Sequence, residues 1–338
     1  MNLTSDKYNK YALVKEMLEA ADVVAKFDFS QTKDVADMIK AKKRVFLTGE
    51  GSSRIFPAKS FIYSVMKQGL DVIAATEGSF QAAEYDLSSW VVGGASNSGN
   101  TNEIIRLLKG LGEAGNKDVF GVTATPGSKI FDVTAKTFLL SCGKENAVAA
   151  TKSVLEQALV YRSIICNLGA CQCAALQSEA AGMMTEIMEE EYDAELIKKL
   201  ADAPMIYFAG RNNGVAEELT LKTNEITRKK SDYLEGTYLL HGIEEVMYEG
   251  EACILIDPFP SECEKIKKLI EENAGLTVVA VASEDTIFPT IKLPQLPGYK
   301  PFFQLVAGWN LLVQIGVALG IDLDKPKRAR KIGNLYEG

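Results

Sequence analysis

The sequence predicts an α/β protein built from two parallel-sheet units, and three observations carry that expectation. Short, continuously apolar runs alternate with helical stretches; the alternation restarts near residue 205; each half opens with a strand that runs into a glycine turn, at Gly51 and at Gly210. Continuous apolar strands separated by helices are what a parallel sheet requires, because the crossover helices cover it on both faces.

Taken in order, residues 7–25 read as an amphipathic helix, with Tyr11, Leu13, Val14, Met17, Leu18 and Ala21 at helical spacing. Strands are expected at 44–48, 71–75, 90–95, 118–123 and 137–140, and a long helix over 150–168 closes the first unit. Residues 172–200 are helical and acidic and form a connector. The second unit begins with a strand at 205–209, the turn Gly210-Arg211-Asn212-Asn213-Gly214 and a helix to about residue 228. Strands at 253–257 and 277–282 precede a closing helix over 302–320. The shared order of strand, glycine turn, helix, further β/α units and long terminal helix points to duplication of one α/β unit.

Composition narrows the function. The 338 residues are 47% hydrophobic and 24% charged, within the ordinary range of globular chains. A net charge of −8 argues against nucleic-acid binding, since there is no basic excess to neutralise phosphates. The single histidine, His241, excludes a zinc site needing two imidazoles, and excludes a Ser-His-Asp triad unless it is the base. Six cysteines include no CxxC pair, so buried free thiols in a reducing compartment are expected. Cys171-Gln172-Cys173 reads as a packed helix start rather than a redox or metal pair. The opening MNLTSDKYNK has no secretory pattern. Phe302–Gly320 reaches membrane-span length but is interrupted by Gln304, Asn310 and Gln314, so a buried helix is expected. A cytoplasmic protein with no membrane partner follows as the expectation.

The chemistry-bearing segments are two loops, each between a strand and a helix. The first contains Gly51, Ser52 and Ser53; the second is Ser96-Asn97-Ser98-Gly99-Asn100-Thr101. Small hydroxyl residues and glycine at a helix N-terminus suit a phosphate, which the backbone N–H groups and the helix dipole face. Ser and Thr are also ordinary helix caps, so either loop alone could be structural. No GxxxxGK[ST] occurs and neither loop matches GxGxxG, which disfavours a nucleotide there. The second half has no matching serine loop after residues 253–257. It contributes Glu218, Lys222 and Glu225, whose spacing puts them on one helix face. Composition alone favours a solvated ion-pair stripe there.

The set GEGSS, SNSGNT and GKENAVAATK resembles the sugar isomerase (SIS) domain, a phosphosugar-binding family. Over about residues 40–335 the chain resembles the tandem-SIS isomerase half of glucosamine-6-phosphate synthase and standalone phosphosugar deaminases and deglycases. The resemblance implies two three-layer αβα, flavodoxin-like units with an N-terminal helix and a C-terminal tail. The implied boundaries are an N-terminal segment 1–35, a phosphate-binding domain 36–170, a connector 171–200, a catalytic-helix domain 201–325 and an active-site tail 326–338. By motif position it assigns Ser53, Ser96, Ser98 and Thr101 as phosphate contacts, with Gly51, Ser52, Asn97, Val148 and Ala149 lining the pocket. Asn97 stands where synthase-like members usually carry glutamine. Glu225 takes the acid/base position, supported by Glu218 and Lys222. His241 takes the ring-opening position, donated across a homodimer, and Lys331 that of a Schiff-base lysine.

These roles fit the chemistry of moving a carbonyl between C1 and C2. A histidine opens the ring, a glutamate shuttles the proton, and a lysine forms an imine or stabilises developing charge. The phosphate anchors the remote end, so that its binding energy positions the reacting carbons. No metal and no cofactor are expected. Without a glutaminase half in this sequence, glutamine-driven amination is not expected. Ile243 replaces the proline usual after His-Gly, a departure from the synthase pattern. Glu245, Pro57-Ala58-Lys59 and Gly99-Asn100-Thr101 resemble deglycases, whereas VAATK and DKPKRARK resemble the isomerase and deaminase branch. An isomerase or deaminase acting on a 6-phosphorylated sugar or amino sugar is therefore expected, a fructosamine-6-phosphate deglycase is the alternative, and a non-catalytic phosphosugar sensor ranks last.

Overall fold

The computed structural model describes residues 1–330 and 334–337. In chain order the helices are α1 (Ala12–Lys26), α2 (Lys33–Lys42), α3 (Ile55–Lys67), α4 (Ser79–Ala82), α5 (Asn102–Glu113), α6 (Lys152–Asn167), α7 (Cys173–Glu189), α8 (Ala194–Asp202), α9 (Val215–Thr227), α10 (Cys263–Ile266) and α11 (Lys300–Ala318). The strands are β1 (Arg44–Gly49), β2 (Ile73–Glu77), β3 (Val91–Ala95), β4 (Val119–Thr123), β5 (Lys136–Leu139), β6 (Met205–Gly210), β7 (Lys230–Glu235), β8 (Ala252–Ile256), β9 (Thr277–Ala282) and β10 (Thr290–Lys292). They form two five-stranded sheets, β2-β1-β3-β4-β5 and β7-β6-β8-β9-β10. Every neighbouring pair is parallel. Read from its own first strand, each sheet has the order 2-1-3-4-5, the doubly wound order of flavodoxin-like folds. The expected α/β class and its repeat are both observed.

The chain divides into two compact units. The N-sheet unit comprises Asp22–Glu145, Ala150–Ser178 and the described part of Arg330–Gly338. The C-sheet unit comprises Met1–Ala21, Asn146–Ala149 and Glu179–Ala329.

Successive strand residues point to opposite faces, and that alternation builds three layers. In the N-sheet unit Phe46, Val92 and Val119 join Ile104, Ile105 and Leu108 of α5 in one apolar cluster. Phe120, one position on, meets Tyr161 of α6 edge to face at 6.4 Å on the opposite side. In the C-sheet unit Tyr207, Cys253 and Val278 pack with Ile266 of α10 and Ile270. α9 and α11 pack together, closely enough that a Cβ on Gly308 would stand 2.3 Å from Leu219.

α11 is long and apolar enough to cross a membrane by length and composition, yet 83% of its most apolar window is buried inside the unit. Its three amides explain why. Asn310 donates to the carbonyls of Ile187 and Glu190 at 2.9 and 2.8 Å, and Gln314 donates to Glu190 O at 2.9 Å. Gln304 accepts from Asn213 Nδ2 at 2.8 Å. These are polar staples for neighbouring chain ends, which a lipid-facing helix would leave unsatisfied.

Three departures have clear causes. β7 (KSDYLE) and β10 (TIK) carry no apolar run. Both are edge strands, where one side is open and polar residues are tolerated. α2 is a polar surface helix that buries only Val35, Ala36 and Ile39. The expectation of six free thiols needs correction: Cys166 and Cys171 form a disulfide. α6 ends at Asn167 and Gly169, at φ 92°, turns the chain back so that the two Cα atoms stand 4.5 Å apart. Cys142, Cys173, Cys253 and Cys263 stand outside the disulfide and are buried, as expected.

Candidate functional site: a hydroxyl cradle and a buried charge row

In the N-sheet unit both serine loops leave the C-terminal ends of the adjacent strands β1 and β3, the edge where ligands bind in open α/β sheets. Gly49 must be glycine, because a Cβ would meet the Ser53 and Ala95 carbonyl oxygens at 2.9 and 3.0 Å. Gly51–Ser53 is a single 3₁₀ turn, and Ser53 Oγ accepts from Gln157 Nε2 at 3.4 Å.

The second loop closes on its own hydroxyls. Ser96 Oγ lies 2.7 Å from Thr101 Oγ1 and 3.4 Å from Ser98 Oγ, and accepts from Gly99 N–H at 3.0 Å. Thr101 is the N-cap of α5, but its side chain makes no cap hydrogen bond. Three hydroxyls therefore converge at a helix N-terminus without serving as its cap, which leaves them suited to an anion. Gly99, at φ 63°, holds the turn, and a Cβ there would fall 1.9 Å from Ser128 Oγ. Gly99→Ala is expected to cost about 1–2 kcal/mol from the left-handed backbone, with the clash added, read as a lower chemical-denaturation midpoint.

Glu145, part of GKENAVAATK but not among the expected site residues, organises the far side of this loop. Its buried carboxylate accepts from Asn97 Nδ2 at 3.2 Å, Thr151 N at 2.8 Å and Ser153 Oγ at 2.7 Å. One acid thereby ties Asn97 to the start of α6. Cys142, three residues earlier, is no nucleophile at neutral pH: burial, then the Glu156 and Glu145 carboxylates, push its thiol well up. The tail also joins the cradle. Leu335 bridges Thr101 antiparallel, Tyr336 N donates to Asn100 O at 2.9 Å, and Asn334 Nδ2 donates to Glu103 at 2.7 Å. Lys331, the expected Schiff-base residue, lies outside the described residues.

The C-sheet unit holds the other candidates. Gly210 ends β6 at φ 112°, where a Cβ would stand 2.1 Å from Ile256 O, and Gly214 opens α9 in the left-handed region. On α9 the expected row is not a solvated stripe. Lys222 and Glu218 are wholly buried, 3.4 Å apart, and Lys222 Nζ donates to Glu225 Oε2 at 2.7 Å. Glu225 alone keeps 22% of its side chain open. A partly open carboxylate hydrogen-bonded to a buried ammonium is a group that can meet a substrate in a fixed orientation.

His241 follows a short turn anchored by the buried Leu239 and Leu240. It is exposed, and its ring has no hydrogen-bond partner among the described residues. Ile243, in place of the proline expected after His-Gly, packs on the sheet cluster. Val148 and Ala149 fall in the Asn146–Ala149 segment of this unit, with Val148 N donating to Asp324 O at 3.1 Å.

At the position corresponding to the second serine loop, β8 runs instead into Asp257. Its carboxylate holds Lys300 at 2.7 Å and Arg211 at 3.7 Å. A carboxylate with its cations already engaged opposes an anion, and among the described residues no hydroxyl cradle stands at this position.

Comparison with known proteins agrees with this architecture. No protein-family model matches the chain. It is 25% identical over 347 residues to the glutamine–fructose-6-phosphate aminotransferase [isomerizing] of Methanocaldococcus jannaschii, covering 94% of this chain and 30% of the relative. The Pyrococcus horikoshii protein of the same name is 24% identical, over 95% of this chain and 57% of its own. The chain thus spans between 30% and 57% of the length of these relatives. Among solved structures, the C-terminal domain of glucosamine-fructose-6-phosphate aminotransferase from Francisella tularensis superposes with TM-score 0.75 at 17% identity, over 95% of this chain and 100% of that one. The chain carries the tandem SIS fold.

Two further SIS-fold neighbours bracket it. Tagatose-6-phosphate ketose/aldose isomerase from Escherichia coli gives TM-score 0.77 at 14% identity, covering 95% and 97% of the two chains. Glucosamine-6-phosphate deaminase from Thermotoga maritima gives 0.73 at 20%, covering 98% and 100%. Within the SIS fold of this chain, the cradle hydroxyls are brought together in one unit and Glu218, Lys222 and Glu225 in the other.

Proposed function

We propose that this chain is a phosphosugar aldose–ketose isomerase or deaminase, converting a 6-phosphorylated sugar or amino sugar to its ketose. The observation that carries the reading is the burial of Glu218 and Lys222 beneath a partly open Glu225. Burying two charges and much of a third is costly, and a row kept for solubility would face water. The hydroxyl cradle and the relatives named for fructose 6-phosphate, tagatose 6-phosphate and glucosamine 6-phosphate chemistry support the same reading.

In this scheme Ser53, Ser96, Ser98 and Thr101 hold the phosphate, with Gly51, Ser52, Asn97, Val148 and Ala149 lining the pocket. His241 moves the proton that opens the ring. Glu225 carries a proton between C1 and C2, its carboxylate held by Lys222 and backed by Glu218. Lys331 forms an imine with the carbonyl or stabilises negative charge on it. Release of ammonia distinguishes a 2-amino substrate from a simple sugar.

The test is a panel of sugar 6-phosphates, amino-sugar 6-phosphates and fructosamine 6-phosphates, with ketose, ammonia and free amino acid all followed. Ketose formation is expected, with ammonia if the substrate carries an amine. Amino acid release alone would replace the reading with a deglycase, and binding without turnover would replace it with a sensor.

His241 has a further role in this proposal. It is exposed and stands among the exposed Tyr238, Val246 and Tyr248, a surface suited to presenting it to a second copy of the chain. His241→Asn is expected to lower turnover of the cyclic substrate by about 10²–10⁴-fold, the range for a lost acid–base group. Mixing His241→Asn with Glu225→Gln protein should restore activity through hybrid dimers. Two inactive variants that stay inactive when mixed and refolded together would place His241 in its own subunit's site.

A further inference from the structure

The disulfide is part of a larger sulfur cluster at the junction of α6 and α7. Gly169 N–H donates to Cys166 O at 2.9 Å and Ala170 N–H to Ile165 O at 3.2 Å, closing the end of α6 and folding the chain back on it. The returning chain brings Cys171 to Cys166 and starts α7 at Cys173, whose Sγ lies 3.5 Å from Cys171 Sγ. All three sulfurs lie within 4.8 Å of one another. Cys173 is buried, and Cys166 and Cys171 are partly buried. The other three cysteines take no part in this cluster.

Three sulfurs converging on one point are a donor set of a particular kind. Thiolates are soft ligands that select zinc-class ions, and a tetrahedral site with Zn–S bonds near 2.3 Å places its sulfurs roughly 3.8 Å apart. Cys171 and Cys173 already stand near that separation. Cys166 has only to part from Cys171 by the difference between a bonded and a coordinated pair. We propose that, once the Cys166–Cys171 bond is reduced, Cys166, Cys171 and Cys173 form a three-thiolate site for one Zn²⁺ ion, with the fourth position open to water or an external ligand.

The two states exchange in balanced steps. A dithiol reductant gives two electrons and two protons to the disulfide and itself becomes oxidised, leaving three thiols. The ion then displaces three protons to solvent and takes all three sulfurs as thiolates. In reverse, an oxidised dithiol takes two electrons from the Cys166 and Cys171 thiolates, which re-form their bond and release the ion as Cys173 takes a proton from solvent. The cluster therefore holds either its disulfide or the ion.

Cobalt(II) tests the site because it reports both sulfur ligation and tetrahedral geometry in its absorption spectrum. Full-length protein would be reduced, stripped with a chelator and titrated with Co²⁺ without oxygen. One equivalent is expected to raise a thiolate-to-cobalt charge-transfer band and tetrahedral d–d bands, and Zn²⁺ should bleach both. The unreduced protein should show neither. Cys173→Ser and, separately, Cys171→Ser should abolish the bands, while Cys253→Ser and Cys263→Ser keep them, with circular dichroism confirming that each variant is folded. No charge-transfer band in the reduced wild-type protein would overturn the proposal whatever the variants do, as would undiminished bands in a folded Cys173→Ser protein or in the oxidised one.

Discussion

Glu225→Gln is expected to lower kcat on an accepted phosphosugar by about 10²–10⁴-fold, with KM changed only a few-fold. The amide keeps the shape of the side chain and can still accept from Lys222 Nζ, now 2.7 Å from the carboxylate, but it cannot take up and return a proton. Loss confined to kcat is the mark of a group that acts in the transition state rather than in binding. Exchange of the C2 proton with deuterated solvent should fall in parallel, which separates loss of the base from slow ring opening. Wild-type kcat in this variant would remove Glu225 from the mechanism.

Lys222→Met should have the largest effect on stability, about 3–5 kcal/mol, the cost of breaking a buried ion pair from one side. Methionine fills similar space but withdraws the ammonium 3.4 Å from Glu218, a side chain with no exposure to water. Adding Glu218→Gln to Lys222→Met should recover much of the loss, since the carboxylate left without its cation is then gone. Chemical denaturation of the three proteins, followed by circular dichroism, measures both steps. An unchanged midpoint for Lys222→Met would mean that this ammonium does not hold the buried carboxylate.

Much of the fold was legible because its signals are local. The buried strands β1, β3, β4, β8 and β9 are apolar throughout, and their runs stand out from the helices that cover them. β7 and β10 escaped detection because an edge strand pairs through its backbone and demands little of its side chains. The duplicated plan was visible as an order of elements, and the identical strand orders of the two sheets bear it out.

The candidate site was legible in part for the same reason. Serine, threonine and glycine after a strand announce a helix start that can face an anion. Glu145 lay within GKENAVAATK, but no local pattern showed that it joins Asn97 of another loop to Thr151 and Ser153 at the start of α6. The disulfide was missed because its spacing matches no redox motif; the left-handed turn at Gly169 makes the pairing, and periodicity does not register a turn. The charge row shows the opposite failure. Its one-face spacing was plain, but spacing alone cannot say whether a helix face meets water or another helix, and on composition the solvated alternative was favoured.

The sequence by itself determined the α/β class, the two-unit plan, the cradle's hydroxyls and the one histidine, because each depends on residue type at short range. Only the tertiary structure decided that Glu218 and Lys222 lie out of water, that Asp257 takes up the cations where a second cradle would stand, and that three cysteines meet at one point. The reason is physical: burial, ion pairing and sulfur proximity depend on which distant segments pack together, and that is set by the summed packing of the whole chain rather than by any local pattern.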